Sequence, residues 1–376
     1  MKQTLTIKDF KVFEEQEITL KNLTVLAGSN SVGKSTVIQA ILLSRTTLEE
    51  RFKWGKDVQR IPISLNGPFL LELGNTYEVI RRGKRVGEST LEFSLVENGE
   101  LQMKIVLSGD RSNQNKYELW VESDEFSQAK KGILGQKIYY LCAERIGPRL
   151  NYEYQILLYL HAGYKGERTF QILSGENLPV HEKKLFNGEE PALLFDQARK
   201  WLDYIIPGAS FDNAIPIGKS KVIEGTFGES LPTNVGFGIS YVLPIIVNGL
   251  LAEPDTIMII ENPEAHLHPS GQSRIGRFLT QIAGAGTQVI IETHSEHVIN
   301  GLRLAILEGD KISSDDTIIN YMYKDQFNKT IVREIQFDDE AEFDQFPPGF
   351  IDQEQRDIAE MIRIIKGKKD DVKPAS

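Results

Sequence analysis

The stretch Leu23-Thr-Val-Leu-Ala27, followed at once by Gly28-Ser-Asn-Ser-Val-Gly-Lys-Ser-Thr36, decides the fold. Its first five residues form an apolar run of the kind found in a strand buried on both faces. Beyond Lys34, the apolar residues Val37, Ile38, Ile41 and Leu42 recur at helical spacing. Between strand and helix, Gly28, Gly33, Lys34 and Ser35 match G-x-x-x-x-G-K-[ST], the Walker A pattern. Glycines let the backbone curl so that N–H groups from Gly28, Ser29, Asn30, Ser31, Gly33, Lys34, Ser35 and Thr36 surround phosphate oxygens. The helix adds the positive end of its dipole. Lys34 reaches the β and γ phosphates, and the Ser35 hydroxyl coordinates Mg²⁺. The pattern therefore predicts a nucleoside triphosphate bound with Mg²⁺.

A second apolar strand, Thr256–Ile260, runs into Glu261, an arrangement in which the acid holds Mg²⁺ (Walker B). The chain continues Asn262-Pro-Glu-Ala-His-Leu-His-Pro269. A further strand, Thr287–Glu292, leads into Thr293-His294-Ser295. His294 sits at the carboxyl end of an expected parallel strand, where ligands bind in open α/β sheets, so it is assigned to sensing the γ-phosphate. His266 and His268 with Glu264 suggest a metal site at first sight. No third strong ligand is near and Pro269 marks a turn, so packing or loop hydrogen bonding is the better reading.

Outward from these motifs, the 376-residue chain has 40% hydrophobic and 26% charged residues, ordinary for a globular protein with a sizeable core. No apolar run reaches the roughly 20 residues of a membrane-spanning helix. The first residues lack the apolar core of a signal peptide. Cys142 is the only cysteine, which excludes disulfide frameworks and cysteine-based zinc sites. These features predict a cytoplasmic protein with no membrane contact. A net charge of −10 rules out a whole-protein basic field for nucleic acid. It leaves room for local patches: Arg81, Arg82, Lys84 and Arg85, and Lys366, Lys368 and Lys369.

The remaining segments predict an α/β organisation. Residues 50–134 alternate apolar and polar side chains in Tyr77–Ile80, Leu91–Leu95, Met103–Leu107 and Tyr117–Val121, which reads as an antiparallel meander. Lys137–Cys142 is another buried-type strand. Residues 150–206 read as mainly helical, with Leu194, Ala198, Trp201 and Ile205 on one face. From Val235 helices and strands alternate, as in a parallel sheet covered by helices. Two strands follow, Thr317–Tyr323 and Thr330–Gln336, then a solvated acidic run from Asp338 to Asp344 and a final amphipathic helix. The expected division is an ATPase head from 1–48, 135–149 and 207–336, a β-rich insertion over 50–134, a helical subdomain over 150–206 and a C-terminal segment over 337–376.

This set of motifs resembles the ABC-type ATPases of the SMC/RecF/OLD-like group, the AAA-type predicted ATPases of prokaryotes. Leu5–Ser35 resembles the group's opening strands and Walker A, Glu261–Pro269 its Walker B and D-loop, and Thr293–Ser295 its H-loop. Asn234-Val-Gly-Phe-Gly-Ile-Ser240 resembles its signature motif, Tyr140–Pro148 its Q-loop region, and Phe346–Gln353 a C-terminal segment of one branch. The resemblance implies a P-loop NTPase with an ABC-type head, a mixed parallel sheet, an antiparallel β insertion and a helical subdomain. It implies two copies sandwiching two ATP molecules, with Asn234, Gly236, Gly238 and Ser240 of one against the γ-phosphate held by the other.

One departure bears on rate. The group usually has Asp then Glu at Walker B, whereas here Glu261 precedes Asn262. An amide cannot accept the proton of an attacking water, though it can orient that water. Glu264 is the nearest carboxylate able to serve as base, so slow turnover is expected. The resemblance leaves three roles: a DNA-associated ATPase of defence or repair, a regulatory subunit gating a separately encoded nuclease or toxin, and a transporter subunit. The last is disfavoured by the signature and the antiparallel insertion. A long coiled-coil arm is disfavoured by the lack of sustained heptads between residues 149 and 234.

Overall fold

The computed structural model describes residues 2–81, 89–110, 116–128, 131–135, 137–149, 151–156, 158–175, 178–180, 182–187, 193–212, 215–216, 222–224, 236–309 and 312–370. Arg82, Lys84, Arg85 and Asn234 lie outside the described residues, as do the side chains of Lys366, Lys368 and Lys369.

The centre is a six-stranded sheet. It contains β3 (Leu23–Gly28), β8 (Ile138–Leu141), β12 (Ile257–Glu261), β13 (Gln288–Thr293), β14 (Thr317–Lys324) and β15 (Thr330–Ile335), in the order β15-β14-β3-β13-β12-β8. All neighbours are parallel except β14 and β15. Both faces are covered, which is why the central strands read as unbroken apolar runs. Leu26, Ile257, Ile259 and Ile290 face one layer of the core, and Val25, Met258, Ile260, Val289 and Ile291 face the other. Successive residues of a strand point to opposite faces, and this parity fixes which polar residues meet at the strand ends.

On the first face lies α1 (Lys34–Trp54), with Val37, Ile38, Ile41 and Leu42 in its core. A second sheet closes over α1. It is antiparallel, in the order β2-β1-β5-β6-β7-β4, from β1 (Gln3–Phe10), β2 (Phe13–Leu20), β4 (Pro62–Ser64), β5 (Thr90–Glu97), β6 (Glu100–Gly109) and β7 (Glu118–Phe126). Leu5, Ile7, Phe93, Leu95 and Ile105 of this sheet share one buried cluster with α1. The expected boundary between a head and a β insertion is therefore not a structural break, because β1 pairs directly with β5. Tyr77–Ile80 is not a strand of the meander. Residues Thr76–Val79 form a short helix, α2, nucleated by the Asn75 side chain, which accepts a hydrogen bond from the Tyr77 amide.

The second face carries α5 (Phe237–Leu251), α6 (Pro269–Gly284) and α7 (Glu296–Leu307). Helices α6 and α7 approach so closely that a Cβ on Gly301 would stand 2.0 Å from the Ser273 carbonyl oxygen. Outside them lies α4 (Leu194–Ile205), whose Leu194, Ala198, Trp201 and Ile205 are buried as the four–three–four spacing requires. Residues 150–206 are less helical than their sequence suggests. The described part holds α4, the short α3 (Thr169–Leu173), a 3₁₀ turn at Lys183–Leu185 and the strand β9 (Asn151–Glu153). Strand β9 joins β11 (Val222–Glu224) and β10 (Ile215–Pro216) in a small sheet. Aromatic packing and side-chain-to-backbone bonds, such as Gln171 Nε2 to the Gln155 carbonyl at 2.6 Å, hold this region where helical periodicity does not. The chain ends in α8 (Gln353–Asp370), and no helix among the described residues is long and apolar enough to cross a membrane.

His161 is buried beside the rings of Tyr159 and Tyr164, and its Nε2 accepts from Arg168 at 2.6 Å. Burial, and then the Arg168 charge, push its pKa down to about 4. The unfolded chain takes up this proton near pH 6.5 while the folded chain does not, so stability is lost as pH falls from 6.5 to 4, by about 3 kcal/mol. Denaturant unfolding should show this acid slope shallower by that amount in His161→Gln; an unchanged slope contradicts it.

Candidate functional site

The phosphate loop leaves β3 at Gly28 and enters α1 at Lys34. Gly28 has φ +136°, and a Cβ there would lie 2.0 Å from the Met322 carbonyl oxygen of β14. Only glycine fits where the loop turns over the neighbouring strand. Gly33 caps α1 in the left-handed region, and Ser31 also has positive φ, 62°. Ser29, Asn30, Ser31 and Ser35 are exposed, whereas Lys34 and Thr36 are buried. Lys34 Nζ donates to the carbonyls of Gly28 at 3.1 Å and Ser29 at 2.7 Å, which centres the ammonium in the curl.

Strand register brings two acids to this loop. Glu261 ends β12, and Glu292 stands directly across from it on β13. By parity both side chains leave the sheet on the α1 face. Ser35 Oγ lies 3.1 and 3.0 Å from the two carboxylate oxygens of Glu292, to which it donates, and Lys34 Nζ is 3.9 Å from one of them. Glu261 accepts instead from the Tyr140 hydroxyl at 2.7 Å. Burial, and then the charge of Glu261, push the Glu292 pKa up to about 7. Burial also raises Glu261 against the opposing pull of the Tyr140 hydrogen bond. Lys34 is lowered by burial despite its neighbouring acids, so desolvation outweighs attraction on both sides.

The segment after β12 turns sharply. Asn262 has φ +46°, a conformation asparagine tolerates, and its amide donates to the Glu292 carbonyl at 2.8 Å. Its Oδ1 is buried with no hydrogen-bond partner among the described residues. Glu264 accepts from Thr293 Oγ1 at 2.8 Å and from the His294 amide at 2.9 Å, so the turn after β12 is tied to the end of β13. His294 is exposed overall, and partial burial, then the Lys34 charge, lower its pKa against the opposing pull of Glu264. Glu264 and His294 line a cleft of about 810 Å³ with Gly28, Ser29, Tyr321 and Phe350. The far wall is the Phe346–Gln353 segment, anchored by Phe350 packing edge-on against Tyr321.

The signature-like residues lie elsewhere. Gly236 and Gly238 line a smaller cleft of about 300 Å³ with His266 and His268, away from the residues that line the phosphate-loop cleft. The Ser240 hydroxyl is not at that surface. It is buried without a partner among the described residues and borders a small cavity beside Thr169 and Pro244. His266 stacks on Phe237 and meets Tyr241 edge-on, and His268 Nδ1 caps α6 by accepting from the Ser270 amide.

Sequence reasoning assigns Glu292 no role, and it places Tyr140 and Arg145 only within the Q-loop-like stretch Tyr140–Pro148, without a role for either side chain. Arg145 is buried, donates through Nη2 to the carbonyls of Glu261 and Asn262, and stacks over Tyr241. Glu292 was recognisable in principle. It lies two residues beyond Ile290 and so shares that residue's face, as Glu261 shares the face of Ile259. The contacts of Tyr140 and Arg145 carry no such signal beyond the Q-loop-like stretch, because they depend on where β8 docks.

Gly28→Ala should destabilise the fold by about 3 kcal/mol or more, since it combines strain at positive φ with a clash against backbone. Thermal unfolding checks this; a melting temperature unchanged from the parent contradicts the described turn.

Comparisons agree with this geometry at the level of family. Residues 1–141 and 210–299 match the model of the AAA ATPase domain. A comparison with curated proteins finds no match. Among solved structures, similarity extends to an Smc head bound to the C-winged helix domain of ScpA, at 12% identity over 89% of this chain and 97% of that one, TM-score 0.49. The SMC head domain from Thermotoga maritima is 13% identical over 88% and 98%, TM-score 0.42. An Smc head with an extended coiled coil, bound to the C-terminal domain of ScpA and derived from Pyrococcus furiosus, is 12% identical over 96% and 99%, TM-score 0.49. With a phosphate loop at the carboxyl edge of a parallel sheet and the family model covering more than half its length, the chain belongs to the AAA ATPase domain family.

Proposed function

We propose that the chain binds Mg·ATP on Gly28–Thr36, hydrolyses it slowly, and pairs with a second copy across the bound nucleotide. The observation that carries the reading is the meeting of the Lys34 ammonium, the Ser35 hydroxyl and the carboxylates of Glu261 and Glu292 at one end of the parallel sheet. These groups fit the ligand: a cation for phosphate oxygens, and hard oxygen donors for Mg²⁺. Ser35 and Glu261 would hold the metal, which would neutralise charge developing on the phosphates.

The chain's own groups do the rest. Exposed amides of Ser29–Ser31 and the α1 terminus bind phosphate. His294, beside Lys34, donates a hydrogen bond toward the terminal phosphate. Asn262 orients the attacking water, and Glu264 takes its proton. Glu264 already accepts two hydrogen bonds, which must be rearranged before it can take that proton, and turnover is slow. Gly236 and Gly238 open on a different cleft from the phosphate loop, so they serve the nucleotide of a second copy.

The biological setting we favour is prokaryotic DNA-related defence or repair, with ATP acting as a switch. DNA contact would fall to local patches. Arg81 is paired with Glu14 at 3.0 Å, which weakens its contribution. The alternative, ATP-dependent gating of a separately encoded nuclease or toxin, is favoured by one observation: α8 leaves Ile358, Met361, Ile362 and Ile365 exposed, a row suited to a protein partner.

Lys34→Ala should weaken retention of ATP with Mg²⁺ by 100-fold or so, by loss of a buried charge-assisted contact. Equal retention by parent and variant in filter binding contradicts the site. Glu264→Gln should lower kcat by roughly 10²–10⁴; an unchanged kcat removes Glu264 as base. Light scattering should give a monomer without nucleotide and a dimer with ATP, most clearly in Glu264→Gln, whereas a monomer under both conditions contradicts pairing.

A further inference from the structure

We propose that Glu292 is a second metal-facing carboxylate of the nucleotide site, acting with Glu261 and Ser35 to set how much divalent cation the protein needs to hold a triphosphate. The inference rests on the Mg·ATP reading above and deepens it.

The geometry is specific. The residue expected to hold Mg²⁺ alongside the acid is Ser35, yet its hydroxyl addresses the carboxylate of Glu292, not that of Glu261. Glu261 is one strand further from the phosphate loop, since β13 lies between β3 and β12, and one of its oxygens is engaged by Tyr140. The two acids stand opposite each other on adjacent parallel strands and on the same face. Glu292 is only 6% exposed, and the nearest cation among the described residues is Lys34 at 3.9 Å. When Lys34 turns toward phosphate, Glu292 keeps a hydroxyl partner and a like charge beside it. Two buried carboxylates side by side are costly unless a cation compensates them. A divalent ion bound to a triphosphate supplies that cation, and carboxylate, hydroxyl and phosphate oxygens are the ligands Mg²⁺ prefers. Glu292 acts either directly on the ion or through the Ser35 hydroxyl, which it orients.

A purely structural role predicts something different. If Glu292 only braced the loop, its loss would weaken nucleotide binding with and without metal. The test is a titration of Mg²⁺ at fixed fluorescent ATP analogue, with a parallel measurement in EDTA, on the full chain and on Glu292→Gln. The expected result is a rise of about tenfold or more in the Mg²⁺ concentration giving half-maximal retention, as for loss of a group orienting a metal ligand. Affinity in EDTA should be equal to or tighter than the parent's, because a negative charge near phosphate is gone. Mn²⁺ in place of Mg²⁺, followed by electron paramagnetic resonance, should show the same weakening of the ion. An unshifted midpoint, or equal loss of binding in EDTA and in Mg²⁺, overturns the proposal. Should Glu292→Gln not fold, Glu292→Asp gives the same reading: a shorter carboxylate shifts the midpoint upward, and an unshifted one overturns the proposal. If the parent itself retains no Mg·ATP, the failure belongs to the proposed function and not to Glu292.

Discussion

A buried lysine and two carboxylates, one buried and one half-buried, at one edge of a parallel sheet are the constraint on which the rest of the molecule turns. Taking such charges from water costs several kcal/mol each, and their mutual attraction does not recover it when the pair stands 3.9 Å apart. The shifts of Lys34 downward and Glu292 upward express that deficit. A fold keeps groups in this condition when something else completes them. In the proposed reading a polyanion and a divalent cation would complete all three, the ammonium by phosphate and the carboxylates by metal.

The surrounding layers hold these groups in place. The central sheet is packed on both faces, so β12 and β13 cannot slide by one residue without turning their acids to the wrong side. Helix α1 is clamped between two sheets, which fixes the helix terminus that follows the glycine loop. Around the rim, Glu264 fastens the turn after β12 to the end of β13, and Arg145 fastens the same turn from beneath. Tyr241 and His266 extend that contact to the start of α5, where Gly236 and Gly238 lie. The nucleotide site and the signature-like surface are thus joined by packed side chains within one chain.

Much of this was legible in the sequence, for physical reasons. Central strands buried on both faces leave unbroken apolar runs, and the phosphate loop has fixed glycines because backbone crowding and positive φ admit nothing larger at Gly28. The acid at the end of β12 follows from the same logic. Less legible was anything set by distant pairing. Tyr77–Ile80 alternates like a strand but follows an asparagine that caps a helix turn. The stretch over 150–206 shows clear helical spacing only in α4, the rest being held by aromatic and side-chain contacts. The union of the opening strands with the meander was hidden because the β1–β5 pairing spans a long separation in the chain. The burial of the Ser240 hydroxyl beside Thr169 and Pro244 likewise depends on how α5 packs against α3, which no local pattern shows.

The most direct test of the central claim is a crystal of the protein grown with a non-hydrolysable ATP analogue and Mn²⁺, with the ion located by its anomalous scattering. The account predicts a single peak at coordination distance from Ser35 Oγ, on the α1 face of the sheet beside Glu261 and Glu292, with the triphosphate wrapped by residues 28–36. An ion or a triphosphate bound elsewhere, with the Lys34 ammonium still folded onto the Gly28 and Ser29 carbonyls, would contradict it.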